Sequence, residues 1–134
     1  MARFRIKMVP ARKTGPLTFW VHRPLDHEVW AKATTFDPEL PPKAEDGWPL
    51  YIAEHLGHEV WFASPEELEH AIEVLQREVL PSPEQLAAEA GHADRAYMHW
   101  IATFPARLKA GDERRRFVGL LEDLRAKIAD SGAS

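Results

Sequence analysis

The sequence predicts an α+β domain: an antiparallel four- or five-stranded meander sheet, followed by three or four C-terminal helices. Two patterns predict it. In the first half, apolar residues alternate with polar ones at the period of half-buried strands. From residue 64 onward, apolar residues recur at the spacing of one helix face. A chain of 134 residues has the length of one domain. We therefore expect a single domain over residues 1–134, with a sheet region at 1–63 and a helical region at 64–130.

The first predicted strand shows the alternation most clearly. Its apolar residues are Phe4, Ile6 and Met8, and the cations between them are Arg3, Arg5 and Lys7. Further strands are predicted at residues 17–22, 28–34, 50–54 and 59–62. Between them, residues 37–49 contain four prolines, which lack the amide hydrogen that helices and interior strands need. We expect an ordered loop there.

Serine–proline pairs mark the first two helices. Ser64 precedes Pro65 and stands three residues before Glu67, which is a capping box with proline at the first helical position. The stripe that follows consists of Leu68, Ala71, Ile72, Leu75 and Val79. Ser82 repeats the cap for a shorter helix ending at Gly91. Two more helices are predicted, over residues 94–104 and after Gly111.

Composition excludes several classes of protein. The absence of cysteine excludes disulfides, thiolate metal sites and thiol nucleophiles. No apolar run approaches the ~20 residues of a membrane span, and the charged N-terminus does not resemble a signal peptide. We therefore expect a cytoplasmic protein with no membrane partner. The net charge of −4 argues against general binding to duplex DNA, which depends on many contacts from cations to phosphate.

Charge and aromatic residues are sorted along the chain. Residues 1–25 carry six cations and no acid, residues 26–94 carry 16 acids and three bases, and residues 95–134 carry eight bases and five acids. Four of the five tryptophans lie in the first half. This sorting indicates surfaces that meet a partner, and a protein partner is the leading interpretation.

The first candidate surface is an aromatic face of the predicted sheet. Strand alternation assigns four aromatic residues to the side that the capped helix does not cover: Trp20, Trp30, Trp61 and Tyr51. His55 falls on the same side, and Leu50 and Ile52 fall on the helix-facing side. Aromatic residues beside cations can anchor a protein or stack the bases of a single-stranded nucleic acid. Alternatively, the C-terminal helices cover this face and Trp100 packs against it.

The second candidate surface is a basic turn around Gly111 and Asp112. Its cations are Arg107, Lys109, Arg114, Arg115 and Arg116. Arginine forms bidentate contacts with carboxylate or phosphate, so this turn can bind an acidic partner. Alternatively, it is a solvated helix end in which some cations pair with Asp112 and Glu113. An acidic helix of a second copy could also meet the turn, which leaves self-association open.

Histidines give a third, weaker candidate. His55 and His58 flank a predicted turn beside Glu54 and Glu59, and histidine with glutamate can bind zinc. The spacing matches no established zinc motif. The sequence also contains no phosphate-binding glycine loop, dinucleotide fingerprint or nucleophile elbow. We therefore predict no catalytic residue and no cofactor, and we favour a protein that is not an enzyme.

Several stretches between Trp30 and Leu121 resemble a group of small uncharacterised proteobacterial proteins that are loosely associated with mobile genetic elements. The stretches are residues 36–41, 62–68 and 70–75, the His99-Trp100 pair, and residues 104–109. Where this chain has Tyr97-Met98, the group often has small polar residues. No activity is established for the group, so the resemblance implies no mechanism. It favours a partner-binding role in phage or plasmid biology.

Together these observations favour a non-enzymatic interaction module. It would bind a protein partner through the aromatic sheet face and the Arg-rich turn. One alternative is single-stranded nucleic-acid binding on the same aromatic and basic face. The other is a small metal-dependent enzyme that uses His55 and His58.

Overall fold

The computed structural model describes residues 2–132, which contain two antiparallel sheets. The larger sheet has three strands in the order β1-β4-β5, and the smaller one pairs β2 with β3. The strands are β1 (Arg3–Val9), β2 (Arg23–Pro24), β3 (Phe36–Asp37), β4 (Trp48–His55) and β5 (His58–Phe62).

Most helices follow the last strand, and two short ones lie between β1 and β4. The α-helices are α1 (Thr18–Val21), α2 (Pro65–Leu75), α3 (Pro83–Glu89), α4 (Trp100–Thr103) and α5 (Gly111–Gly132). Short 3-10 helices lie at Trp30–Lys32, Ala93–Met98 and Ala106–Leu108. The predicted α+β class, with an antiparallel sheet and C-terminal helices, is confirmed. Within the described chain, none of these helices has both the length and the apolar character needed to cross a bilayer.

The larger sheet has fewer strands than predicted, because two predicted strands are not strands. The predicted strand at residues 17–22 contains α1 (Thr18–Val21), and the Val21 amide donates to the carbonyl of its N-cap residue Leu17 at 3.1 Å. Leu17 and Val21 are one helical turn apart, so the same residues fit either period. Residues 28–34 contain a 3-10 helix, and the amide of Thr34 donates to the Asp26 carboxylate at 2.9 Å.

The two faces of β4 are the reverse of the prediction. Tyr51 pairs with Phe62, and Ile52 pairs with Trp61. Because paired residues share a face, Tyr51 points toward the helices with Phe62, whereas Leu50 and Ile52 point to the other side. His55 lies on the same face as Tyr51, so the face predicted for it is also wrong. A central strand is apolar on both faces, so alternation alone could not choose between them.

The main core lies between the sheet and the helices. It includes Tyr51, Ala53, Val60 and Phe62 from the sheet, Leu68, Ile72 and Leu75 from α2, and Trp100, Phe117, Leu121 and Leu124 from the later helices. The other face of the sheet has a smaller cluster, in which Val9, Leu50 and Ile52 pack with Trp48. Burial on both faces makes β4 the centre of the domain.

The connection from β1 to α1 runs against the backbone of β5. A Cβ atom on Gly15 would collide with the carbonyl oxygen of Trp61, so only glycine permits this close approach. Gly15 also donates its amide to the Thr18 hydroxyl at 2.9 Å. The loop therefore lies against the backbone of β5 at Trp61, and its hydrogen bond to Thr18 fixes the start of α1.

Both predicted serine caps are confirmed. Ser64 Oγ accepts from the Glu67 amide, and Ser82 Oγ accepts from the Gln85 amide, each at 3.1 Å. The helix predicted over residues 94–104 is interrupted, because His99 is extended and caps α4 by accepting from the Ile101 amide at 3.1 Å. This break places the His99 side chain beside Trp20.

Candidate functional site

The four predicted aromatic residues do not share a sheet face. Trp20 lies in α1 and Trp30 in a 3-10 helix. Trp61 lies on the solvent side of β5 and is 37% exposed, whereas Tyr51 is buried beneath the helices. The predicted aromatic sheet face is therefore wrong, because two of its members leave the sheet and the other two point in opposite directions.

Trp20 and Trp30 instead line one groove of about 920 Å³. The groove lies between α1, the segment from β2 to Trp30, the end of α3 and the 3-10 helix at Ala93–Met98. The residues that matter most for its chemistry are Phe19, Trp20, Arg23, Val29, Trp30 and Arg95. We call it the aromatic groove.

The aromatic wall of the groove is held in place by the fold. The Trp30 indole donates to the His22 carbonyl at 3.1 Å, and its ring centroid lies 4.9 Å from that of Phe36. The Trp20 ring lies edge-on to Phe19 at 5.2 Å and 4.5 Å from His99. A wall that is fixed before binding loses little side-chain entropy when a partner arrives.

Exposed apolar and charged residues surround that wall. Val29 lines the groove and is 49% exposed, and Leu25, which is 64% exposed, lines an adjoining pocket that shares Val29 with the groove. Arg95 lies 5.5 Å over the Phe19 ring. Among the described residues, neither Arg23 nor Arg95 has an ion-pair or hydrogen-bond partner for its guanidinium. Glu28 and Asp37 also line the groove, so its charge is mixed.

A fully buried polar network lies directly behind the groove. His22 Nε2 is 2.7 Å from Ser64 Oγ and 3.4 Å from the nearer Glu67 oxygen, and its Nδ1 donates to the Pro38 carbonyl at 2.6 Å. Glu67 also accepts from the Thr18 hydroxyl at 3.0 Å and from the Ala63 amide at 3.1 Å. The network ties α1 to the first turn of α2.

This network has the residue types of a catalytic triad but not its geometry. In a triad the carboxylate orients the histidine through the nitrogen that faces away from the serine. Here a backbone carbonyl occupies that position, and Ser64, His22 and Glu67 are all inaccessible to solvent. Burial lowers the pKa of His22, but its contacts with Glu67 and Pro38 outweigh burial and raise it above 6.5. The arrangement favours a structural ion pair.

Most cations of the predicted basic turn contact groups within the chain. Arg114 donates to the carbonyls of Leu75 at 3.2 Å and Arg77 at 3.0 Å, which satisfies the end of α2. Lys109 donates to a backbone carbonyl, and Arg115 and Arg116 pair with carboxylates on their own helix. Arg107 is exposed and has no such partner among the described residues. The pairs of Arg115 with Asp112 and of Arg116 with Glu113 are those of the alternative, a solvated helix end in which some cations are paired, and binding of a partner at this turn stays a prediction.

His55 and His58 face each other across the β4–β5 pairing, and His55 contacts Glu113. His55 Nε2 lies 3.0 Å from a Glu113 oxygen, a contact that links β4 to α5. Within residues 2–132, no group of three or more histidine, aspartate or glutamate side chains is arranged to bind a metal ion. Metal binding by His55 and His58 therefore stays a prediction, and the structure shows His55 in a contact with Glu113 instead.

The burial of His99 predicts a loss of stability in acid. Burial, together with the nearby His70, lowers the pKa of His99 from 6.5 to about 4. The protonated form therefore favours the unfolded chain. The stabilising contribution is complete above pH ~6.5 and falls as the pH approaches 4. From these two pKa values we expect the titration of His99 alone to lower the free energy of unfolding by about 2 kcal/mol when the pH falls from 7.5 to 5.

Urea unfolding at several pH values tests this expectation against the His99→Asn variant. Asparagine keeps an oxygen that can cap the amide of Ile101 and has no ionisable group. The variant should lose about 2 kcal/mol less than the wild type between pH 7.5 and pH 5. Parallel pH profiles for the two proteins would contradict the assignment.

Most of the groove could not be predicted from the sequence. Phe19, Arg23 and Arg95 join Trp20 and Trp30 there only because α3 and the following 3-10 helix pack beside α1. One signal was present beside the groove: Leu25, in the adjoining pocket, stands alone in a polar turn, where an apolar side chain has no core to enter.

Comparison with protein-family models, with curated proteins and with solved structures finds no match to this chain. The class of protein is set by the fold and the groove alone: an α+β domain with an aromatic cleft of mixed charge. The resemblance to small proteobacterial proteins of mobile elements, and the cytoplasmic location, stay predictions.

Proposed function

We propose that this protein is a non-enzymatic interaction module that binds a protein partner in the aromatic groove. Phe19, Trp20 and Trp30 would receive an apolar side chain of the partner, and Arg23 and Arg95 would contact its carboxylates. The proposal keeps the function that the sequence suggested and moves the contact surface from the sheet to the groove.

The observation that carries the proposal is two unpaired arginines beside an exposed apolar edge. Aromatic residues and arginine dominate the energetic centres of protein interfaces. Val29 and Leu25 are exposed, unlike the apolar residues of the core. A partner that covers them removes apolar surface from water, which favours binding. The groove volume lies within the range of ligand-binding clefts.

Charge distinguishes a protein partner from a single-stranded nucleic acid. A phosphate backbone would gain from Arg23 and Arg95 but would be repelled by Glu28 and Asp37, which line the same groove. A polypeptide can present both signs of charge and match all four groups. The mixed charge therefore favours a protein partner.

Two matched variants test the proposal. Val29→Glu places a charge in the groove, and Val79→Glu makes the same change at a valine that is 80% exposed elsewhere. A partner isolated from the native host with the wild-type protein should bind the Val29→Glu variant at least ~10-fold more weakly, which corresponds to about 1.4 kcal/mol. Binding to Val79→Glu should match the wild type.

Two results would overturn the proposal. One is a partner that binds both variants with the wild-type affinity. The other is tight binding of an oligonucleotide pool at low salt that weakens steeply as salt is added, which would establish the nucleic-acid alternative.

A further inference from the structure

The outer edge of β1 has no partner strand. β1 pairs with β4 along Arg3–Val9, and β1 is the last strand in the order β1-β4-β5. Its outward backbone groups make no hydrogen bond to any other described residue. At the opposite edge of the sheet, the loop at Gly15 lies against the β5 backbone. The β5 backbone is therefore contacted by the chain at Trp61, whereas the outer edge of β1 has no partner strand among the described residues.

The apolar face of β1 is incompletely buried. Phe4, Ile6 and Met8 point toward the helices, as their pairing with β4 requires. Ile6 is nevertheless 37% exposed, whereas Tyr51, its partner on β4, is buried. Phe4 and Met8 are only partly buried. The core layer thus ends at β1 with apolar surface that an additional strand would cover.

The other face of β1 presents a row of cations. Arg3 pairs with Glu54 at 2.6 Å and Arg5 pairs with Glu59 at 3.1 Å, yet both arginines remain largely exposed. Lys7 makes no ion pair or hydrogen bond among residues 2–132. Two copies of β1 that paired edge to edge would bring these cations together, which disfavours self-pairing. An acidic strand would meet opposite charges instead.

We propose that β1 binds an extended acidic segment of another protein by strand addition. The backbone of the segment would supply the missing ladder hydrogen bonds. Its acidic side chains would face Arg3, Arg5 and Lys7, and the apolar side chains between them would cover Phe4, Ile6 and Met8. In this mode of recognition the main chain supplies affinity, and the alternating side chains supply specificity. This site is separate from the aromatic groove and does not depend on it.

The test uses two blocked peptides of about eight residues, matched in length to β1: one alternates glutamate with valine, and the other alternates lysine with valine. Fluorescence anisotropy should show that the glutamate peptide binds at least ~10-fold more tightly than the lysine peptide at low salt. Hydrogen exchange of β1 amides should slow when the glutamate peptide binds. A glutamate peptide with proline at two adjacent central positions should not bind, because adjacent amides point to opposite edges of a strand and one of the two lost amides must face β1.

Point variants locate the contact. Lys7→Glu should weaken binding of the glutamate peptide at least ~5-fold. Lys32→Glu makes the same charge change at an exposed residue on a 3-10 helix and should leave binding unchanged. Val29→Glu, the groove variant, should also bind this peptide normally, so the two proposals fail independently. Equal binding of both peptides, or no slowing of exchange in β1, would overturn strand addition.

Discussion

Replacing Glu67 with alanine is expected to lower the free energy of unfolding by about 3–5 kcal/mol, the cost of breaking a buried ion pair. The carboxylate is inaccessible to solvent and accepts hydrogen bonds from Thr18 and from the Ala63 amide. Its removal leaves His22 buried without a counter-charge and leaves the Thr18 hydroxyl without its acceptor. Most domains are stable by only 5–15 kcal/mol, so this loss is a large fraction of the total.

Glu66 provides the matched control for this experiment. It precedes Glu67 in the same helical turn but is exposed. Glu66→Ala should cost less than about 1 kcal/mol, the range of a carboxylate near a helix N-terminus. Glu67→Gln should fall between the two alanine variants, because the amide keeps an acceptor and removes the charge. Urea unfolding followed by circular dichroism measures all three. A loss below ~1 kcal/mol for Glu67→Ala would show that the network contributes little.

The Glu67 variants should also change the pH dependence of stability. The folded state raises the pKa of His22 above 6.5. Its contribution is therefore complete below pH ~6.5 and declines as the pH rises through the folded-state pKa. Glu67→Ala removes the main group that raises this pKa, so its disadvantage relative to the wild type should shrink at alkaline pH. A disadvantage that stays constant with pH would indicate lost packing and hydrogen bonds rather than a lost ion pair.

Local patterns predicted the elements whose contacts are local. The alternation in β1 and the serine cap of α2 each depend on residues within a few positions of one another, and both are confirmed. The stripe on α2 likewise faces the core through Leu68, Ile72 and Leu75. Where one face is apolar and the other polar, the sequence specifies both the element and its orientation.

Tertiary contacts decided the elements that the sequence assigned wrongly. The segment at residues 17–22 is short enough to fit a strand or a helix, and the buried bond between Thr18 and Glu67 connects residues 49 positions apart. β4 is apolar on both faces, so only its register with β5 determines that Tyr51 faces the helices. Neither contact leaves a local signal in the sequence.

The same limit applies to the functional surfaces. Arg114 belonged to a visible cluster of cations, yet its guanidinium binds carbonyls of α2 nearly forty positions away. Arg23 and Arg95 are isolated in the sequence and become neighbours of one groove only after folding. The cluster in the sequence therefore did not show which of its cations are paired within the fold, and of the three arginines that are unpaired among the described residues it contained only Arg107.

Replacing Trp100 with alanine is expected to cost about 3–5 kcal/mol, the range for removing a buried aromatic side chain. Trp100 is 1% exposed, and its ring contacts those of His70, His99 and Phe104 at centroid distances of 5.8, 5.5 and 5.6 Å. Truncation would leave a cavity between the sheet and the helices. Because His99 also supports Trp20, the aromatic groove should lose order together with the core.

Phenylalanine at this position tests whether packing alone explains the contribution of Trp100 to stability. The indole nitrogen of Trp100 is buried and has no hydrogen-bond partner among the described residues. Trp100→Phe therefore keeps most of the aromatic packing and removes a polar group that is costly to bury, so its loss should stay below about 2 kcal/mol. Trp61→Phe, at an exposed indole on β5, controls for the substitution itself and should cost less than about 1 kcal/mol. If Trp100→Phe is as costly as Trp100→Ala in urea unfolding, the indole nitrogen makes a contact that stabilises the core, and packing alone does not explain its burial.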